Sequence, residues 1–183
     1  MTSKKTVAII GIFLGLILVT SLLLYPKIFP QNVSVTVFFS PNGGCTTAIL
    51  SEINNAKSEI LVQAYSFTSA PIAKALVEAH KRGIKVQVIL DKSQKTAQYT
   101  SATFLANSKI PTFIDSQHAI AHNNKIIIID GTTVITGSFN FTKAAEERNA
   151  ENLLFIKSEE LAKLYVENWK NHKEHSEPYE PRY

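Results

Sequence analysis

The chain has 183 residues, 45% of them hydrophobic, which is the length of about one domain and excludes a wholly disordered protein. Its single cysteine, Cys45, excludes an intramolecular disulfide and a cysteine-rich zinc site. The net charge of +4 comes mainly from Lys4, Lys5 and Lys27, because residues 31–183 carry 16 basic and 15 acidic side chains, so basicity alone is a poor argument for a polyanionic partner.

The first predicted element is a membrane-spanning helix. A run of 19 residues without charge extends from Val7 to Tyr25, and a helix of that length spans about 28 Å, close to the roughly 30 Å hydrocarbon core of a bilayer. Because Lys4 and Lys5 precede the run, we expect an inner-membrane anchor, with the rest of the chain on the periplasmic or extracytoplasmic side. The alternative is a cleaved signal peptide, which usually has a shorter apolar core and a small-residue cleavage site. Anchor and linker together occupy residues 1–32.

Strands and helices alternate along the rest of the chain. Short apolar and β-branched runs predict strands, and apolar residues at helical spacing predict helices. We place helices at 46–57, 69–82, 100–108 and 159–172, and strands at 33–39, 60–67, 84–90, 110–114, 125–130, 133–137 and 152–157. This order predicts an α/β domain over residues 33–175, with a mostly parallel central sheet and helices on both faces. Residues 176–183 are expected to form a loose tail.

Five polar residues surround the strands at 125–137. Lys125 and Asp130 flank four isoleucines, Ser138 and Asn140 follow in the sequence Gly-Ser-Phe-Asn, and Glu151 comes just before the next strand. We expect these side chains near the ends of central strands, where open α/β sheets bind ligands. A lysine, a hydroxyl and an amide together supply hydrogen-bond donors for an anion, and phosphate fits this set best.

The spacing Lys-x4-Asp followed by Gly-Ser-x-Asn resembles the phospholipase D superfamily, and so do the stretches YSFTSAPIAKALVEAHKRGIKVQVILD and GSFNFTKAAEERNAEN. The resemblance covers about residues 34–175 and is greatest to short bacterial endonucleases with one motif per chain. It implies the phospholipase D/nuclease fold and a phosphodiesterase that needs no metal or other cofactor. One histidine forms a covalent phosphohistidine, and a second protonates the leaving oxygen and then activates water. Because one chain supplies one such histidine, the resemblance also implies a homodimer with a composite site.

The resemblance assigns a role to each residue of the motif. Lys125, Ser138 and Asn140 correspond to positions that bind the non-bridging phosphate oxygens. Glu151 corresponds to the carboxylate that hydrogen-bonds the histidine and orients its tautomer. Asp130, the motif aspartate, is included in the catalytic set, although in the family it is usually structural.

The motif departs from the family at its histidine. The family has histidine two residues before the lysine, where this chain has Asn123, while His122 lies three residues before Lys125. In a regular strand residues i and i+3 face opposite sides, so His122 would point away from Lys125. Either an extra residue at 123 or 124 forms a bulge that re-aims His122, or position 123 has lost the nucleophile.

The sequence therefore predicts a membrane-anchored, homodimeric nuclease that hydrolyses DNA or RNA. Two alternatives stay open: a phospholipase D that acts on membrane lipids, and a catalytically impaired nucleic-acid-binding protein, which Asn123 suggests. The remaining histidines receive less weight. His118 is interpreted as a solvent-facing loop residue, and His172 and His175 as residues near the polar tail.

Overall fold

The computed structural model describes residues 33–119 and 125–181. In chain order they form the following elements: β1 (Ser34–Phe39), α1 (Cys45–Asn55), β2 (Glu59–Ala64), α2 (Ala70–Lys81), β3 (Lys85–Asp91), a 3₁₀ turn (Lys92–Lys95), α3 (Ala102–Asn107), β4 (Thr112–Asp115), β5 (Lys125–Ile129), β6 (Thr133–Gly137), α4 (Lys143–Glu147), β7 (Asn152–Lys157), α5 (Glu159–Glu174) and β8 (Glu177–Pro178). The predicted α/β class is confirmed.

The eight described strands form one mixed sheet in the order β1-β7-β6-β5-β2-β3-β4-β8. Within it only β2–β3 and β3–β4 are parallel, and the other five described pairings are antiparallel. The prediction of a mostly parallel sheet is therefore wrong. Three residues, 130–132, join β5 to β6, and a parallel pair needs a crossover of a dozen or more. The apolar runs indicated that the strands are buried on both faces of the sheet, but such burial does not determine strand direction.

Helices cover both faces of this sheet, as predicted. Alternate residues of the central strands point to opposite sides: Ile127 and Ile129 join the larger core with α1 and α2, whereas Ile126 and Ile128 join the smaller core under α5. Trp169 of α5 is 2% exposed, and its indole Nε1 donates a hydrogen bond to the Val62 carbonyl at 3.0 Å. That bond satisfies the one polar atom of a large buried side chain, so α5 is held to the centre of the sheet.

Residues 177–179, within the expected tail, contact β4 and α3. Strand β8 pairs with β4, the Tyr179 amide donates to the Thr112 carbonyl at 2.8 Å, and the Tyr179 hydroxyl lies 2.8 Å from Thr103 Oγ1. Strand β4 would otherwise be an edge with unpaired backbone groups, and a chain segment that covers such an edge satisfies them.

The predicted membrane anchor lies outside the described residues. Among residues 33–119 and 125–181, none of the helices has the length and apolar character needed to span a bilayer.

Candidate functional site

The structure places the start of β5 and the end of β6 side by side. They lie at the edge of the sheet that is formed by the ends of the central strands, not by an outer strand. Lys125, the first residue of β5, pairs with Ala64, the last residue of β2. Gly137 ends β6 and pairs with Leu153 near the start of β7. Four of the predicted site residues therefore meet at this edge, and we call them the phosphate-site residues: Lys125, Ser138, Asn140 and Glu151.

Gly137 has a backbone that only glycine accommodates. Its φ is +151°, and a Cβ there would lie 2.3 Å from the Asn152 carbonyl oxygen. The close approach lets the Asn152 amide donate to Ser138 Oγ at 3.0 Å and the Phe139 amide donate to the Asn152 carbonyl at 3.2 Å. As a result Ser138 is exposed at the sheet edge while Phe139 is fully buried.

Asn140 carries unused hydrogen-bonding capacity. Its Oδ1 is buried and, within the described part of the chain, has no hydrogen-bond partner. An unpaired buried polar atom costs about 1–3 kcal/mol, so it calls for an explanation. Rotating the amide by 180° puts the two Nδ2–H donors at the same position. A phosphate oxygen bound there would satisfy them.

Lys125 is a half-buried cation at the same edge. Burial lowers the pKa of its ammonium below the ordinary 10.5, and the negative charge of Glu151 offsets part of that effect. The Lys125 Nζ lies 5.6 Å from the centroid of the Tyr65 ring. Since burial disfavours the charged form, a bound phosphate would stabilise the ammonium more than it would a fully hydrated lysine.

Glu151 is held in place by Ser40, the residue that directly follows β1. The Ser40 amide donates to the Glu151 carbonyl at 3.1 Å, and Ser40 Oγ accepts from the Glu151 amide at 3.2 Å while it donates to the Asn149 carbonyl at 2.9 Å. Asn149 Nδ2 also donates to Glu151 Oε1 at 3.1 Å. Ser40 is 8% exposed. It is therefore a positioning residue for Glu151.

Glu146 of α4 caps the start of α1. Its carboxylate accepts from the amide of Gly44 at 3.2 Å and from that of Thr46 at 2.7 Å. Helix α1 has no side-chain cap of its own at Gly44, so Glu146 satisfies its first amides from a distant segment.

Asp130 stands apart from the phosphate-site residues. It follows β5, five residues beyond Lys125, which puts it about 16 Å away at the opposite edge of the sheet. Its carboxylate accepts hydrogen bonds from the backbone amides of residues 57–59 at 2.8–3.1 Å and from the Ser58 hydroxyl at 2.8 Å. Burial alone would raise the pKa of Asp130, and these hydrogen bonds outweigh it and lower the pKa below the ordinary 3.8. This geometry gives Asp130 a structural role.

His122 and Asn123 lie outside the described residues, so the catalytic assignment of either one stays a prediction from the sequence.

Comparison with known proteins agrees with the motif. A family profile described as "Cardiolipin synthase, PLD-like domain" matches residues 49–173. A Rickettsia felis protein named phospholipase D is 45% identical over 154 residues, which cover 81% of this chain and 76% of the relative. The structure of Nuc from Salmonella typhimurium, described as a phospholipase D family member, superposes with a TM-score of 0.77 at 42% identity, over 81% of this chain and 99% of Nuc. NucT from Helicobacter pylori gives a TM-score of 0.73 at 25% identity, over 81% of this chain and all of NucT.

Proposed function

Since the chain belongs to the phospholipase D superfamily, which supports phosphodiesterase-type activity, we propose that it is a nuclease that cleaves DNA or RNA without a metal ion. The observation that carries the proposal is the meeting of the phosphate-site residues at one sheet edge, although 13 residues or more separate Lys125 from Ser138 and Glu151 in the chain. Their donors fit the non-bridging oxygens of a phosphodiester.

The proposed reaction has two in-line steps. In the first, a histidine nitrogen attacks phosphorus, the P–O bond to the leaving group breaks, and a second histidine gives that oxygen its proton. In the second, the same histidine takes a proton from water, the hydroxide displaces the first histidine, and a phosphomonoester leaves. Lys125, Ser138 and Asn140 stabilise the charge that builds on the phosphoryl oxygens, and Glu151 orients the imidazole. One motif per chain makes the active species a homodimer.

Two features favour a nucleic acid as the substrate. The chain aligns with Nuc and NucT over 99% and 100% of their lengths, so it matches each of these two short proteins as a whole. Tyr65 is partly exposed beside Lys125, where an aromatic ring could stack on a base next to the bound phosphate.

A phospholipase D is the second candidate, because the Rickettsia relatives carry that name. The predicted anchor would hold such an enzyme against its substrate. The third candidate is a nucleic-acid-binding protein without turnover, which rests on Asn123 in place of the family's histidine.

The deciding assay offers the full-length protein in detergent three substrates in the presence of EDTA: plasmid, single-stranded DNA and phosphatidylcholine vesicles. We expect both DNAs to be cleaved, and an acid quench to trap a phosphorylated histidine. The matched control is Lys125→Met, which keeps the length of the side chain and removes the charge. Head-group release without DNA cleavage would select the phospholipase, and DNA binding without cleavage would select the non-catalytic protein.

The spacing of the motif is tested with three variants. If His122 is the nucleophile, His122→Ala abolishes cleavage and deletion of Asn124, which restores the His-x-Lys spacing, retains it. If position 123 has lost the nucleophile, the wild type is inactive and Asn123→His restores cleavage.

Two further parts of the proposal concern assembly and location. A homodimer predicts twice the chain mass in light scattering, and a monomer with full activity would refute the composite site.

An inner-membrane anchor with the domain in the periplasm predicts that a C-terminal alkaline phosphatase fusion is active in intact cells and a C-terminal green fluorescent protein fusion is dark.

A further inference from the structure

Three histidines converge on one buried carboxylate at the end of β4. We call this group the Asp115 cluster: Asp115, His118, His172 and His175. Asp115 is fully buried, His172 is 8% exposed, and the ring centroids of the three histidines lie 5.1–5.4 Å from one another. The cluster joins two distant parts of the chain, because Asp115 and His118 follow β4 whereas His172 and His175 lie at the end of α5.

The histidine nitrogen atoms that face the carboxylate lie close enough together to become ligands of one metal ion. His172 Nδ1 lies 2.7 Å from Asp115 Oδ2, His118 Nδ1 lies 3.3 Å from the same oxygen, and His175 Nε2 lies 3.4 Å from Oδ1. One ligand atom from each of the four residues can be chosen so that all lie within 4.8 Å of one another. Four ligands at the zinc–nitrogen and zinc–oxygen distance of about 2.0–2.1 Å stand about 3.4 Å apart, so shifts of about 1 Å suffice.

His175 gives an independent sign that the cluster is incomplete by itself. Its Nε2 atom is buried, and among the described residues it has no hydrogen-bond partner, although a carboxylate oxygen is 3.4 Å away. Hydrogen bonds between protein groups therefore leave one inward-facing nitrogen unused. A metal ion at the centre of the cluster would accept its lone pair.

We propose that the Asp115 cluster binds one zinc ion with three imidazoles and one carboxylate. This donor set suits zinc, and a site with four protein ligands is closed, as in structural zinc sites. The ion would cross-link the end of β4 to the end of α5. It would also hold His118, which precedes His122 of the motif by four residues, and so restrain the chain just ahead of the predicted nucleophile.

The position of the cluster argues against a part in the chemistry. Ile114 pairs with Leu90, Leu90 with Ala64, and Ala64 with Lys125. Three strand spacings therefore separate the cluster from Lys125 along the same edge, which is about 14 Å. A zinc ion at Asp115 is too far away to touch a phosphate bound at Lys125, so it would act on stability.

Zinc binding is measured on the full-length protein with a tag that contains no histidine, purified in detergent, stripped with EDTA and desalted. ZnCl₂ is titrated by calorimetry, bound metal is counted by mass spectrometry, and CoCl₂ gives a visible absorption band if the site is tetrahedral. The variants are His118→Gln and His175→Gln; because these side chains are 47% and 28% exposed, we expect both variants to fold. The matched control is His80→Gln, a histidine of α2 outside the cluster.

We expect one zinc per chain in the wild type and in His80→Gln, and at least about tenfold weaker binding in the two cluster variants. We expect zinc to raise the melting temperature only of the proteins that bind it. A wild type that takes up no zinc, or cluster variants that bind it as tightly as the control does, would overturn the proposal. The nuclease is scored separately, as DNA cleavage in EDTA below the melting temperature of the stripped protein. Zinc binding without cleavage refutes only the nuclease, and cleavage without zinc binding refutes only the zinc site.

Discussion

Asp130 is the member of the predicted catalytic set that the structure separates from the phosphate-site residues, so its replacement is the most informative. Asp130→Ala removes four hydrogen bonds to one carboxylate, from the amides of residues 57–59 and the Ser58 hydroxyl. Hydrogen bonds to a charged group contribute about 1.5–3 kcal/mol each when buried, but the donors of Lys57 and Ser58 are exposed and water replaces part of the loss. Asp130 also has a φ of +53°, where alanine is strained by about 1 kcal/mol. We expect a loss of about 2–4 kcal/mol in the free energy of unfolding.

The matched variant is Asp130→Asn, which keeps the shape and tolerates the positive φ. One amide oxygen can still accept from Ser58 and Glu59, while the new NH₂ group faces the Lys57 amide, so we expect a smaller loss of about 1–2 kcal/mol. Because the pKa of Asp130 is lowered in the folded state, its contribution is complete above the ordinary 3.8 and is lost as the pH falls below that value. Asparagine should abolish this part of the acid sensitivity.

Urea unfolding at pH 7 and at a series of pH values down to 3 measures both effects. DNA cleavage is then scored per folded molecule, at a temperature where every variant is folded. We expect both variants to retain wild-type kcat within about twofold, since Asp130 lies about 16 Å from Lys125. An Asp130→Asn protein of unchanged stability that has lost cleavage would refute the structural assignment and make Asp130 a participant.

Three further predictions concern the phosphate-site edge. Gly137→Ala puts a Cβ 2.3 Å from the Asn152 carbonyl, so we expect a melting temperature lower by many degrees and little cleavage; a wild-type melting curve would contradict the geometry. Lys125→Met removes a charge that burial disfavours. We expect cleavage to vanish while the free energy of unfolding is unchanged or raised by up to about 1 kcal/mol. A marked destabilisation would show that the charge supports the fold. Ser40→Ala removes the clamp on Glu151, and we expect kcat to fall about tenfold with KM unchanged and about 1–2 kcal/mol less stability; stability loss with unaltered kcat would limit Ser40 to packing.

Most elements of the fold could be predicted from local pattern alone. The isoleucine run of β5, the Asp-Gly turn after it and the amphipathic pattern of α5 each depend on residues within a few positions of one another. Strand direction could not be predicted in this way, because a strand buried on both faces has the same composition whether its neighbours are parallel or antiparallel. The length of the connection between two strands does carry that information. Only three residues join β5 to β6, which is too short for a parallel pair.

The sequence alone was enough to identify the family, which the comparisons confirm. It also predicted the phosphate-site residues, because the types and the spacing of Lys125, Ser138 and Asn140 form the motif. The tertiary structure decided which residues meet. It separated Asp130 from the site, it brought Ser40 to Glu151, and it assembled the Asp115 cluster from two short Asp-x-x-His and His-x-x-His segments that are more than 50 residues apart. That spacing was visible in the chain and was the only signal for the cluster. The two segments form a cluster only because β4 and the end of α5 pack together. Such long-range contacts depend on the burial of both faces of the sheet rather than on local sequence.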